Sequence, residues 1–376
     1  MSDTQKYTRP NVPNLRFPGF EGEWESRRIG EDCAVNMCKR IFANQTSEQG
    51  DVPFFKIGTI GGPPDAYISK DLFEEYKAKY NYPRKGEVMI TCAGTVGKTI
   101  VFDGEDAYFQ DSNIVWLSNP KQLYINSFLN YVLSKVNWNK LNSTTITRIY
   151  NDNLRELVIN YPSVKEQEKI VTLLSFLDQR IAIQNKVIEK YESLIKALRH
   201  NIFSIMEPVK EVSFADVLSY EQPTKYIVSD TEYSDNKDLT PVLTANKAFV
   251  LGYTEETKGI YDKGPCIILD DFTLDSKIAD FPFKVKSSAI KILSAKTTIS
   301  LRFIFEYLKF LNLNTEEHKR HYIAEIEPMT IKLPEEGAIH SIARLFDRLD
   351  MRRKGLEKDL QLLKSQKDYL LRAMFI

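Results

Sequence analysis

A long amphipathic helix pattern occurs twice in this chain of 376 residues, and it limits the possible folds more than any other feature. The first copy runs from about Tyr161 to Phe203, the second from about Leu333 to Phe375. In the first, Ile170, Leu174, Leu177, Ile181, Gln184, Ile188, Tyr191, Ile195, Leu198 and Ile202 alternate four and three residues apart. That spacing is an a/d heptad held over more than four heptads. Adding 172 to each number gives Ile342, Phe346, Leu349, Arg353, Leu356, Leu360, Leu363, Lys367, Leu370 and Met374, so the register survives with Arg353 and Lys367 as polar interruptions. Tyr161-Pro162 precedes one helix and Leu333-Pro334 the other. Proline is tolerated just before or at a helix start. The chain therefore reads as two similar halves, each a globular part followed by a helix.

The boundaries follow: a globular part over 1–160, a helix over 161–205, a second globular part over 206–332 and a closing helix over 333–376. Both globular parts read as mixed α/β (α+β) with short strands. In the first, Pro53–Gly58, Glu87–Thr91, Lys98–Phe102 and Asn113–Leu117 are strand-like, separated by turns such as Gly61-Gly62 and Asp103-Gly104, and Ile125–Leu133 is helical. The second repeats the order with Cys266–Leu269, Ala289–Leu293 and the helix Leu301–Leu308. Arg148–Ile159 and Arg320–Ile331 again lie 172 apart, whereas Trp24–Asp32 resembles Val209–Asp216 at an offset near 184. The frames repeat and the middles diverge. Two copies of one scaffold with different surfaces point to two related but different targets.

Composition excludes several classes. No run of 18 apolar residues exists, so no membrane-spanning helix is expected. The polar, proline-rich start lacks the apolar core of a signal peptide. Cys33, Cys38, Cys92 and Cys266 are scattered, which suits free thiols in a reducing cytoplasm rather than a disulfide framework. Lys+Arg and Asp+Glu number 51 each, so any nucleic-acid binding must come from local patches or from a partner. Arg27-Arg28, Lys39-Arg40, Arg84-Lys85, Lys319-Arg320-His321 and Arg352-Arg353-Lys354 are such patches, each by itself readable as solvated surface.

Three strings invite catalytic or metal chemistry. Gly94-Thr95-Val96-Gly97-Lys98-Thr99 contains the Gly-Lys-Thr of a phosphate loop, but Cys92 stands where that motif needs glycine, and strand rather than helix follows. A tight hairpin turn is the alternative. His318 and His321 with Glu316 and Glu317 match no metal-site spacing. Asp270, Asp271 and Asp275 resemble an acidic cluster. The Asn/Asp-Pro-Pro-aromatic string of adenine methyltransferases is absent, Gly62-Pro63-Pro64-Asp65 having the wrong order.

Together these segments resemble the specificity (S) subunit of type I restriction–modification systems. The resemblance is carried by Asn14–Trp24, Thr91–Lys98, Ser143–Ile149 and Pro162–Ile170, then by Ile268–Thr273 and Lys286–Lys291, in this order around the duplicated helices. It implies two target-recognition domains held apart by two long antiparallel helices forming an intramolecular coiled coil with a pseudo-twofold repeat. From Ile170 to Ile202 such a helix spans about 50 Å at ~1.5 Å per residue, a fixed gap between two half-sites. Each domain is expected to read one half of a bipartite, asymmetric site in double-stranded DNA. Two modification (methyltransferase) subunits dock on the helices, and restriction (translocase/nuclease) subunits join through the complex. No catalytic residue, metal or cofactor is expected in the chain itself.

The resemblance also implies residue roles. Gly94, Thr95, Gly97 and Lys98 form a glycine turn at the DNA, with Thr145, Thr147 and Arg148 beside it. Asp271, Thr273, Lys277, Lys286, Ser287, Ser288 and Arg320 are the counterparts in the second half. Lys98, Arg148 and Arg320 are expected on phosphates, and Asp271 either accepts from a cytosine amino group or orients Lys277. Glu166, Lys169, Arg180, Lys186, Arg352 and Lys358 are expected to face the docked subunits. A second reading makes the chain a coiled-coil scaffold with two protein-binding domains and no DNA role. The helical stripes also allow a homodimer, but the intervening globular part is long enough to return the chain for pairing within one molecule.

Overall fold

The computed structural model describes residues 11–138, 148–245, 248–296, 298–313 and 319–376. The chain divides into two compact units: residues up to Ile183 together with Leu360–Ile376, and Gln184–Asp359.

Elements of the first unit are β1 (Glu25–Arg28), α1 (Ile29–Asp32), β2 (Ala34–Asn36), β3 (Val52–Phe55), β4 (Tyr67–Ile68), α2 (Lys70–Lys79), β5 (Val88–Thr91), β6 (Thr99–Val101), β7 (Tyr108–Phe109), β8 (Ile114–Ser118), α3 (Asn126–Lys135), α4 (Asn151–Glu156) and β9 (Val158–Tyr161). The long helix α5 (Val164–Ile205) begins here. Strands order as β2-β8-β5-β6 in an antiparallel sheet and as β4-β3-β7 in a smaller one, while β1 pairs with β9. The central strands β5 and β8 are apolar but for Thr91 and Ser118 at their ends, because both faces are covered. Val88, Ile90, Val115 and Leu117 face α3 and α5, whereas Met89, Ile114 and Trp116 face the small sheet. This is the period of two expected of a strand.

The second unit continues with β10 (Lys210–Ser213), α6 (Phe214–Val217), β11 (Leu218–Glu221), β12 (Thr240–Leu243), β13 (Val250–Thr254), β14 (Cys266–Asp270), β15 (Ser276–Ala279), β16 (Lys284–Val285), β17 (Ile290–Ala295) and α7 (Leu301–Phe310). A π-helical turn at Tyr322–Ile326, then β18 (Thr330–Leu333) and α8 (Glu336–Met374), close the chain. The sheets have the same design: β11-β17-β14-β15, β13-β12-β16 and the pair β10-β18. Ile267, Leu269 and Leu293 face the helices, and Cys266, Ile268, Ile290 and Ile292 face the small sheet. The strand-then-short-helix openings, β1-α1 and β10-α6, match the shifted resemblance read between Trp24–Asp32 and Val209–Asp216.

Helix α5 contains neither glycine nor proline. It starts after Pro162 and ends before Pro208. In the first unit Ile170, Leu174 and Leu177 of its early turns share a core with Leu363, Leu370 and Met374 of the last turns of α8. In the second unit Phe203 near the end of α5 shares a core with Leu333, Ile339, Ala343 and Phe346 at the start of α8. The helices thus pair antiparallel within one chain. The two polar residues in the second stripe are ion-paired: Arg353 with Asp350 at 2.7 Å and Glu357 at 2.6 Å, Lys367 with Asp178. Among the described residues no helix is long and apolar enough to cross a membrane. Cys33, Cys38, Cys92 and Cys266 are all free and buried.

Candidate nucleic-acid interface

The β5–β6 hairpin carries the glycine turn. Gly94 and Gly97 have φ of +61° and +82°, the left-handed region where a side chain is strained. A Cβ on Gly97 would stand 2.0 Å from Cδ1 of Trp138, so the turn is pressed onto that indole. Thr91, buried beneath it, donates its hydroxyl to the carbonyl of Thr95 and accepts the Lys98 N–H at 3.0 Å. These contacts leave Gly94 and Thr95 exposed at the tip. Strand, not helix, follows Lys98, which removes the phosphate-loop reading on structural grounds. The Lys98 ammonium donates to the Ile60 carbonyl at 2.5 Å, so it ties the turn to the next loop while its stem lies exposed.

Backbone bonds bring a second loop and an arginine to this turn. Cys92 N–H donates to the Asn113 carbonyl at 2.7 Å, and Ile149 N–H donates to the Cys92 carbonyl at 2.9 Å. Arg148 therefore stands beside the turn, donating to the Ser112 carbonyl at 3.3 Å. Burial pushes the Cys92 thiol up to about 11, with the Arg148 charge pulling the other way. Arg40 joins through an ion pair with Asp111 at 2.8 Å. Two residues on, Phe42 is 59% exposed. In the sequence Lys39-Arg40 is one basic patch among several; the aromatic two places after Arg40 is the further signal there. Thr145 and Thr147 lie outside the described residues.

The second unit builds the same frame. Asp271 N–H donates to the Ala289 carbonyl at 2.9 Å, and His321 N–H donates to the Asp271 carbonyl at 3.2 Å. Asp271 thus holds the place of Cys92, and Arg320 the place of Arg148. Asp271 is not a surface acceptor, contrary to the expectation: it is 1% exposed. Its carboxylate accepts the N–H groups of His321 and Tyr322 at 3.0 and 2.7 Å and pairs with Lys291 at 3.1 Å, a lysine equally buried. The turn itself is capped by Asp270, which accepts the Phe272 and Thr273 N–H groups at 2.9 Å. Thr273, Lys286, Ser288 and Arg320 are exposed, and Ser287 is half-buried. Lys277 lies in β15 with its ammonium 5.2 Å from the centre of the Phe249 ring, facing a cavity. His321 donates its Nδ1–H to the Glu325 carboxylate at 2.8 Å, and among the described residues no metal-holding cluster of His, Cys, Asp and Glu forms. His318, Glu316 and Glu317 lie outside the described residues.

Residues 21–193 match the family described as the type I restriction modification DNA specificity domain. Over these residues the chain is similar to this specificity-subunit family. It is 49% identical over 161 residues to a Haemophilus influenzae protein that provisionally carries the name type I restriction enzyme specificity subunit. It is 38% identical over 174 residues to the specificity subunit of the type I restriction enzyme EcoR124I/EcoR124II of Escherichia coli. These matches cover 43% of this chain in both cases, and 41% and 43% of the relatives, so the chain spans under half the length of these two relatives. Across 97% of this chain and 99% of the other, the fold superposes on the crystal structure of a type I restriction–modification S subunit from M. genitalium, with TM-score 0.62 and 18% identity.

The helix residues assigned to docking divide. Lys169, Arg180, Lys186, Arg352 and Lys358 are exposed. Glu166 is not: it is 1% exposed, and both its oxygens accept from Arg16 at 2.8 Å. The heptad reading missed a second set of apolar residues. In the first unit Phe176 and Ile183 on α5, and Leu362 and Tyr369 on α8, are exposed; in the second, Val187, Leu194 and Met351 are. Phe176 and Ile183, like Leu362 and Tyr369, are seven apart and share one helix face.

Proposed function

We propose that this chain is the DNA sequence-specificity subunit of a type I restriction–modification complex. Residues 1–160 and 206–332 act as target-recognition domains, each reading one half of a bipartite, asymmetric site in double-stranded DNA. Residues 161–205 and 333–376 act as the helical spacers. The observation that carries this reading is the frame built twice from different side chains: an exposed hairpin turn, a second loop bonded to it, and an arginine, Arg148 or Arg320, delivered alongside. Arginine on phosphate sets position, and variable loop side chains on base edges set sequence.

Methyl transfer and cleavage belong to the partners in this reading, and the chain works in the cytoplasm without a cofactor of its own. Modification subunits dock on the helices, where the first unit exposes Phe176, Ile183, Leu362 and Tyr369 together with Lys169 and Arg180. Apolar residues exposed in one stripe with charged neighbours suit a partner helix. Zero formal net charge predicts weak DNA binding by the chain alone, with the partner adding phosphate contacts.

The test is DNA affinity against salt, with and without the modification subunit. Tight specific binding should appear only in the complex. Alanine at Arg148 or Arg320 should weaken binding to all sequences and flatten the log–log salt slope by about one per lost contact. Sequence-independent behaviour of the complex would favour the scaffold reading. Saturable binding of S-adenosylmethionine to the chain alone would instead revive an enzyme.

A further inference from the structure

The segment that follows β2 in the first unit is pinned inward at two points. Cys38 is buried, and Ile41 packs on the core that holds Phe54, Ile60 and Met89. Lys39, Arg40 and Phe42 are left outside. The backbone of Phe42 is fixed on both sides. Its N–H donates to the side-chain oxygen of Gln45 at 2.9 Å, and its carbonyl accepts the Gln45 N–H at 2.9 Å. One glutamine thus holds both polar groups of a residue whose ring stays 59% exposed.

The same segment is tied to the loop beside the glycine turn. Arg40 pairs with Asp111 at 2.8 Å, and the Ser112 hydroxyl donates to the Met37 sulfur at 3.9 Å, with Met37 itself 41% exposed. Asn113 of that loop is bonded to Cys92 at the turn, and Arg148 donates to the Ser112 carbonyl. Phe42 therefore borders the loop that Arg148 reaches, and the Arg40 pair serves as the tie that keeps it there. The scaffold does not demand this exposure. In the second unit β11 holds the place of β2 at the edge of the matching sheet, and the 3-10 turn after it, Pro223–Tyr226, keeps its aromatic inside. Tyr226 is 4% exposed and donates its hydroxyl to Glu221 at 2.7 Å. A large ring held in water is unfavourable until something apolar covers it. Next to a turn and an arginine placed for phosphate, that cover is a base step: an apolar side chain enters it while the cations hold the backbone.

We propose that Phe42 is an apolar wedge: its ring enters a base step in or beside the half-site read by residues 1–160 and partly unstacks it, with Lys39 and Arg148 on the flanking phosphates. This inference rests on the DNA reading above and adds a means of selection to it. Steps that unstack easily, such as pyrimidine–purine steps, are favoured at that position although no hydrogen bond reads their edges. The second unit, with Tyr226 in its core, selects without such a wedge.

The full-length chain, in complex with its modification subunit, would be titrated with duplexes carrying the site that the complex methylates. 2-Aminopurine, whose fluorescence rises when it is unstacked, would replace in turn each adenine in and beside that half-site. At one position the signal should rise on binding, and Phe42→Ala should abolish that rise. The same variant should weaken binding about tenfold, as the loss of one base–aromatic contact does. Its log–log salt slope should stay as it was, because no phosphate contact is lost. Phe42→Trp should keep both the rise and the affinity. The exposed position leaves the core intact in both variants. Specific binding with fluorescence and affinity unaltered by Phe42→Ala overturns the wedge and leaves the DNA reading standing. A complex that binds no DNA overturns both. Loss of the modification subunit from the Phe42→Ala complex on gel filtration also overturns the wedge and gives the ring to that partner.

Discussion

Gln184 donates its side-chain amide to the backbone oxygen of Leu356 at 2.9 Å, and Leu356 holds Gln184's own place in the second copy of the helix. A residue that meets its counterpart is what a repeated helix requires when it packs antiparallel on its repeat. Polar residues in an apolar seam set register at some expense in stability. Gln184→Leu should therefore leave stability equal or raise it by up to about 1 kcal/mol, because the mid-helix carbonyl of Leu356 keeps its own helical partner. Gln184→Ala should lower it by about 1–2 kcal/mol by leaving a gap. Chemical denaturation of both variants checks this. A leucine variant clearly less stable than the unaltered chain would show that the hydrogen bond dominates.

Arg16 and Glu166 join the chain's early segment to the first turn of α5. Arg16 also donates to the Gly22 carbonyl at 2.6 Å and the Glu21 carbonyl at 3.2 Å, and its own pKa is raised, chiefly by the hydrogen bond to Glu166. Arg16→Ala leaves a buried carboxylate unpaired and should lower stability by about 3 kcal/mol. Limited proteolysis should then cut within 11–22. Arg16→Met with Glu166→Leu should recover most of the loss, since the charge left behind causes it.

Asp271 and Lys291 predict a purely structural phenotype. Asp271→Asn should lower stability by about 3 kcal/mol, from a buried lysine left without its anion. Measured well below the unfolding transition, its DNA sequence preference should match that of the unaltered chain. A changed preference in a fully folded variant would return Asp271 to the reading surface.

Glu221 gives the second unit an acid-sensitive contact. Burial favours its neutral form, but hydrogen bonds from Lys225, Lys263 and Tyr226 outweigh that and hold the carboxyl at about 2. A carboxylate depressed in the folded state stabilises above its unfolded pKa, near ~4.3, and loses that contribution as pH falls toward 2. The two lysines are 61% and 56% exposed, so screening reduces the effect to about 1–2 kcal/mol. Glu221→Gln should flatten stability against pH between about 4.5 and 2, and an unchanged slope there would place the acid sensitivity in other carboxylates.

The long helices were legible because a heptad with proline punctuation has few other meanings. The buried strands around Ile90, Val115, Ile268 and Ile292 were legible as short apolar runs. The flanking strands of the first small sheet were not, although its middle strand was: Tyr67–Ile68 and Tyr108–Phe109 are two residues each, too short for any periodicity to register. The misread site residues share one cause. Glu166 looked like a solvated first-turn acid, and Asp271 like a loop acid. Each is buried by a partner distant in sequence: Arg16 lies 150 residues away from the first, and His321 and Tyr322 lie 50 and 51 from the second. Local pattern does not report such contacts.

The most direct test of the account is an exchange of one recognition domain. Residues 206–332 would be replaced by the matching part of a relative with a different target. The hybrid would be expressed with its modification subunit, and methylated positions read across the genome. One half of the methylated site should change while the half read by residues 1–160 stays as it was. A change in both halves, or methylation with no two-part site, would contradict it.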